Sequence, residues 1–286
     1  MYPMNEILSP VSRMICTLPA GQNFLGIEEP ELCSFDGSRF VIQAVPYEHT
    51  SSYVSGSAEG PAAMIAASRY VEFYDEELEA ETYREAGIAT LPALDMQGKT
   101  DKEALDLIEA ETLSLVEKNK FVVSLGAEHT VTLGFVKAHA AKHQGLSVLQ
   151  IDAHSDLRES YHGNIYSHAS VMARVHELGL PLCQVGIRAQ CREEAERIRS
   201  AKNIHTFYAH ALRKDPYWMD QAVAKLTDNV YVTIDADGFD PSVIPAVGTP
   251  EPNGLFWDET LRFLRKVAKR KNIVGFDIVE CAPVKG

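Results

Sequence analysis

From residue 40 onward the chain alternates short, continuously apolar runs with longer amphipathic stretches. RFVIQAVP, FVVSLG, LSVLQID, LCQVGIR, NVYVTIDAD and IVGFDIVE are rich in β-branched residues and show no polar alternation, the pattern of strands covered on both faces. Between them PAAMIAASRYVEFY, with Pro61 at its start, VTLGFVKAHAAK, ASVMARVHEL and EEAERIRSAK read as helices. Trp257, Leu261, Leu264 and Ala268 keep an apolar stripe near helical spacing in a further one. Strand–helix alternation predicts an α/β protein with a mostly parallel sheet between helical layers. Residues 1–38 lack periodicity and carry scattered Pro and Gly, which predicts an irregular arm; residues 39–286 then form a single domain.

The unusual polar residues fall where the apolar runs stop. His129 follows FVVSLG, Asp152 and His154 end LSVLQI, Asp235 and Asp237 end NVYVTI, and Glu280 ends IVGFDIV. In a parallel sheet the carboxyl ends of the strands share one edge, where ligand crevices form, so these distant residues are expected to converge. A single Asp after a strand commonly caps a helix or braces a turn, and a single His there is commonly structural. Two acidic strand ends with two histidines change that balance towards a metal site.

Charge arithmetic then favours two metal ions over one. Asp152, Asp156, Asp235 and Asp237 bring four negative charges into one crevice, and two divalent cations balance them. Oxygen-rich ligands with a few imidazoles suit Mn2+, with Zn2+ and Co2+ as substitutes. Water on such ions ionises near neutral pH, which supplies a hydrolase with its nucleophile.

The formal charge of −13 excludes a basic face for a nucleic-acid backbone and suits a small cationic substrate. Five cysteines, odd in number and without CxxC spacing, read as reduced thiols. With no apolar run long enough to span a membrane, the expectation is a cytoplasmic protein without a membrane partner.

GSAEGP, GAEHT, DAHSD, YHGNIYSHAS, TIDADGFDP, GTPEPNGL and DIVE together resemble, in content and in order, the successive motifs of the arginase and agmatinase (ureohydrolase) family. The resemblance spans roughly Phe40 to the C-terminus. It implies a three-layer α/β/α sandwich with a binuclear manganese centre and a trimeric or hexameric homo-oligomer. By match of motif, one Mn2+ takes His129, Asp152, Asp156 and Asp235, and the other takes His154, Asp152, Asp235 and Asp237. A hydroxide between the ions attacks the guanidinium carbon, Asp156 carries the proton, and Glu280 receives the planar guanidinium. His168, just before the helix SVMARVHEL, matches the family's proton shuttle better than His162. DLRESYHGNIYSHAS is most like agmatinases, which implies hydrolysis of agmatine to putrescine and urea. Alternatives are an aminopropylagmatine ureohydrolase, a guanidinobutyrase, an arginase, a catalytically impaired metal-binding homologue, or a one-zinc deacetylase of related fold.

The chain departs from the family in three places. Ala127 and Glu128 replace a Gly and a shorter acid in the usual GGDHS. Asn253 stands where a glycine is usual, a position expected to need positive φ. The final helix usual in the family is expected to be lacking after VECAPVKG. For the substrate tail, Glu159 and Glu251 are candidate acids, and Arg158 and Arg188 are candidate receivers of a carboxylate.

Overall fold

The computed structural model describes residues 15–284. Eight strands form one sheet: β1 (Phe40–Val45), β2 (Ile88–Thr90), β3 (Phe121–Gly126), β4 (Leu146–Ile151), β5 (Leu182–Ile187), β6 (Ile204–Tyr208), β7 (Asn229–Asp235) and β8 (Asn272–Val279), in the order β2-β1-β3-β8-β7-β4-β5-β6. Every pairing between neighbours is parallel. The continuously apolar runs are strands because both faces are covered: β4 and β5 are buried at every residue.

Alternate side chains enter two separate cores, as the twofold period of a strand requires. Leu146 and Val148 join Tyr231, Phe135 and Ile108 on one side, whereas Leu149 and Ile151 join Val232, Trp218 and Phe263 on the other. Helices Asp101–Glu117 and Thr132–Lys142 close the first side; Trp218–Ala224 and Trp257–Arg270 close the second. The result is a three-layer α/β/α sandwich.

Strands β2 and β6 and the helix Asp101–Glu117 lie outside the sequence expectation. β2 has three residues, and β6 is an edge strand, IHTFY, buried fully only at Ile204, so neither carries the apolar run of a central strand. The helix after Gly60 ends at Ala67 instead of reaching Tyr74; a 3-10 turn, Ser68–Tyr70, follows it. In the helix Trp257–Arg270 the buried stripe is Thr260, Phe263 and Val267, one position away from the expected one. Phe263 packs 4.9 Å from the Trp218 ring, while Trp257 stays 57% exposed beside Phe239. The wholly apolar phenyl ring takes the interior position, and the Trp257 indole stays at the surface.

Of the expected arm over 1–38, residues 1–14 lie outside the described residues. The remainder crosses the β2 edge, where Leu18 N–H donates to Thr90 O, and contributes Ile27 and Cys33 to a small cluster with Tyr83. β8 is the last strand, and an isolated bridge, Val247 to Cys281, follows it.

Phe263 is fully buried between sheet and helix, so Phe263→Ala removes its area and leaves a cavity. The expected loss is about 3–5 kcal/mol. Chemical denaturation checks this, and a loss below about 1 kcal/mol would show that the second core does not depend on this ring.

Candidate metal centre

Strands β3, β8, β7 and β4 are consecutive in the sheet, and their carboxyl ends deliver the predicted residues to one place. The backbone shapes this edge. Asp156 and Glu280 are held at φ +53° and +61°, in the left-handed region that non-glycine residues seldom occupy. Gly238 allows the DADG turn to lie against DAHSD, because a Cβ there would meet Asp152 N at 2.8 Å. Asn253 has φ +67°, as its glycine-like position requires.

His129 is wholly buried, and its two ring nitrogens face different surroundings. Nε2 lies 2.9 Å from Thr233 Oγ1, and Thr233 donates its hydroxyl hydrogen to Asp277 Oδ1 at 2.7 Å. Asp277 Oδ2 takes hydrogens from Tyr231 and Thr132. With its hydrogen given to Asp277, Thr233 can only accept from His129, which fixes a ring proton on Nε2 and leaves Nδ1 as the nitrogen that can ligate a cation. Nδ1 sits 3.1 Å from Asp152 Oδ2, 3.0 Å from Asp156 Oδ2 and 3.3 Å from Asp235 Oδ2, with no aligned hydrogen bond to any of them.

A second group adjoins it. His154 Nδ1 lies 3.0 Å from Asp237 Oδ2 and 3.8 Å from Asp152 Oδ1. Ligand atoms of His129, Asp152 and Asp235 lie within 4.8 Å of one another, and so do those of Asp152, His154 and Asp237. Asp152 belongs to both groups; Asp235 falls in the first only. The turns that aim these carboxylates are internally bonded: Asp237 N–H donates to Asp235 Oδ1, Ala153 N–H to Asp237 Oδ1, and Gln150 Nε2 to Asp152 Oδ2.

The donor set fits a pair of divalent cations. Burial first, and then the neighbouring carboxylates, push Asp235 well above its ordinary range, Asp156 to about 7 and Glu280 to about 8. Burial disfavours charge on the histidines, yet the carboxylates around them raise His129 well above its ordinary value and His154 to about 10. Protons are thus drawn into the cluster in place of the positive charge that four acids demand.

Asp235, Asp237, Asp156, His154, Glu280 and His168 all line one cavity of about 230 Å³. Glu280 Oε1 accepts the His129 backbone N–H at 2.6 Å. His168 is held at about 4, by burial first and then by the charges on His129 and His154. His162 is exposed and lies outside this lining. Asp240, the third acid of DADGFD, braces the following loop by accepting from Ser242 and Gly254.

Three expectations about the tail region need correction. Glu159 pairs with Arg174 and Arg197 and is absent from the cavity wall, as is Glu251. The Arg188 guanidinium is spent on the backbone carbonyls of Gly186, Asp237, Gly238, Phe239 and Glu251. Arg158 does line the cavity, 5.6 Å over the Tyr161 ring. Thr50, Thr233 and Asp277 were not among the sequence candidates; Thr233 and Asp277 lie inside strands whose motifs drew attention only to their ends.

The titrations give a signed prediction for the protein stripped of metal. Asp156, Glu280 and His154 all bind protons more tightly when folded, so their contribution is present at low pH and is lost as pH rises through about 7, 8 and 10. His168 and His139, both lowered to about 4 from 6.5, act in the opposite sense, but only below pH 6.5. Between pH about 6.5 and 9 the chelated protein is therefore expected to lose thermal stability steadily, and added Mn2+ to abolish most of that slope. A flat melting temperature across this window in EDTA would refute the charge argument.

Residues 38–286 match the arginase family. The chain is 42% identical over 266 residues to the N(1)-aminopropylagmatine ureohydrolase of Synechocystis sp., covering 91% of this chain and 87% of that protein. It is 36% identical to the agmatinase of Bacillus cereus over 88% of this chain and 86% of that one. The agmatine ureohydrolase of Thermoplasma volcanium superposes with a TM-score of 0.79 at 28% identity, over 92% of this chain and 86% of that one. Its sheet order, its paired acid–imidazole groups and these likenesses together make this chain a member of the arginase family, an amidinohydrolase of the ureohydrolase kind.

Proposed function

We propose that the protein hydrolyses a linear guanidino amine to urea and the free amine with two Mn2+ ions. The observation that carries this reading is the buried Nδ1 of His129 set among three carboxylates, with Nε2 committed to Thr233. His129, Asp152, Asp156 and Asp235 would hold one ion; His154, Asp152, Asp235 and Asp237 would hold the other. Bound divalent ions supply Lewis acidity and a water that ionises near neutral pH.

The rest of the work falls to the chain. Glu280, on the cavity wall with one oxygen committed to the His129 amide, offers its other oxygen to the guanidinium N–H groups. Asp156 accepts the proton released by the attacking water and passes it towards the departing amine. His168, at the cavity wall, exchanges protons with solvent.

Agmatine and N1-aminopropylagmatine are the candidate substrates, each a guanidino group on an amine tail. The 42% identical relative favours the aminopropyl derivative as preferred substrate, and DLRESYHGNIYSHAS favours agmatine as the second. Gln190, on the wall of the cavity, also lines a second hollow with Tyr208 and His210, the direction in which a longer tail would extend under this reading. An arginine head group would need partners for both its carboxylate and its α-amine, and leaving either unpaired costs kilocalories. Arg188 is already spent on backbone carbonyls, which leaves Arg158 as the cation on this wall.

Urea release from the Mn2+-loaded protein tests the order directly. N1-aminopropylagmatine and agmatine are expected to exceed arginine and guanidinobutyrate in kcat/KM by about two orders of magnitude or more. A preference for guanidinobutyrate would make Arg158 a carboxylate receiver and refute the amine-tail reading; no urea from any of the four would refute the enzyme. His168→Asn should lower kcat about 10²-fold or more with metal content unchanged, and His162→Asn should do little. The reverse ranking would remove His168 from the proton path.

A further inference from the structure

Glu128 precedes His129 in GAEHT, and its side chain is wholly buried. Its carboxylate is directed at the loop after β1. Oε2 accepts the backbone N–H groups of His49 at 2.8 Å and Thr50 at 2.6 Å, and Oε1 accepts the Thr50 hydroxyl at 3.2 Å. Thr50 Oγ1 also accepts the backbone N–H of His168 at 3.1 Å and lies 3.0 Å from His168 Nδ1. Three loops, following β1, following β3 and preceding the helix Val171–Glu177, thus meet at one hydroxyl.

A hydroxyl has one hydrogen and two lone pairs. Here the hydrogen goes to Glu128, and the His168 amide takes one lone pair. The remaining contact is made only if the ring donates. We propose that Glu128 and Thr50 are positioning residues that hold His168 as its Nδ1–H tautomer, leaving Nε2 as the one ring nitrogen free to exchange a proton at the cavity.

The inference rests on the reading of His168 as the proton relay, and it names what makes that histidine fit for the task. A relay must present a lone pair, and of the two neutral tautomers only one does so at Nε2. Glu128 also joins the relay to the metal ligands through the chain itself, since His129 is the next residue. The acid at this position therefore has a purpose beyond filling space: it reaches the two amides and the hydroxyl of the loop after β1.

The isosteric change Glu128→Gln makes the sharpest test. The two backbone N–H groups still require an oxygen, so the amide NH2 must turn to Thr50. The hydroxyl is then forced to accept there, and it donates to Nδ1 instead. The tautomer should invert. Long-range 1H–15N spectra of the metal-free protein, labelled with 15N-histidine at pH 7 and assigned by the signal lost in His168→Asn, read this directly. Wild type and Thr50→Ser are expected to show Nδ1–H, and Glu128→Gln to show Nε2–H. In the Mn2+-loaded protein, Thr50→Val should lower kcat at least tenfold with KM and metal content held, and Thr50→Ser should restore most of it. An Nε2–H ring in wild type, or equal kcat for Thr50→Val and Thr50→Ser, would overturn the proposal. The spectra answer whether or not urea is released, so failure of the relay geometry is distinguishable from failure of the proposed activity.

Discussion

Four carboxylates, of Asp152, Asp156, Asp235 and Asp237, are packed out of water at one edge of the sheet, and their mutual repulsion is the constraint on which the site depends. Like charges in such surroundings must gain protons, separate, or be met by cations. Separation is prevented: Asp152 is tied to Gln150, Asp237 to Ala153 and Thr249, and Asp235 to the Asp237 amide. Protonation is the recourse of the chain by itself. Two divalent ions balance the charge without it, and metal affinity and folded stability then become one quantity.

The same constraint explains the polar residues buried behind the site. A histidine that offers a lone pair to a cation needs its other nitrogen fixed, and Thr233 fixes it. Thr233 can do so only because Asp277 takes its hydrogen, and Asp277 is held by Tyr231 and Thr132 in turn. Glu128, Thr50 and His168 repeat the device on the cavity side: a buried carboxylate orients a hydroxyl, which orients an imidazole. The left-handed backbones of Asp156 and Glu280 add local strain, and it falls at residues that line the cavity.

Much of this was legible in the sequence because a parallel sheet collects its strand ends. Asp152, His154, Asp156, Asp235, Asp237, His129 and Glu280 needed only their positions after apolar runs to be grouped. His168 was separated from His162 by its place before a helix, and the structure puts it on the cavity wall. Residues that act from within strands or from aperiodic loops left no such mark. Thr233 and Asp277 read as ordinary strand residues, and Thr50 lies in a segment without periodicity. Glu159 and Arg188 show the limit of proximity in sequence: both neighbour site motifs, and both are spent on structural partners. Strands β2 and β6 escaped because edge strands lack the apolar run that betrays central ones.

Anomalous diffraction from crystals grown with Mn2+ tests the central claim most directly. The account predicts two peaks per chain, with Nδ1 of His129 on one ion, Nδ1 of His154 on the other, and Asp152 touching both. A single peak, or ligation of His129 through Nε2 with Thr233 displaced, would contradict it.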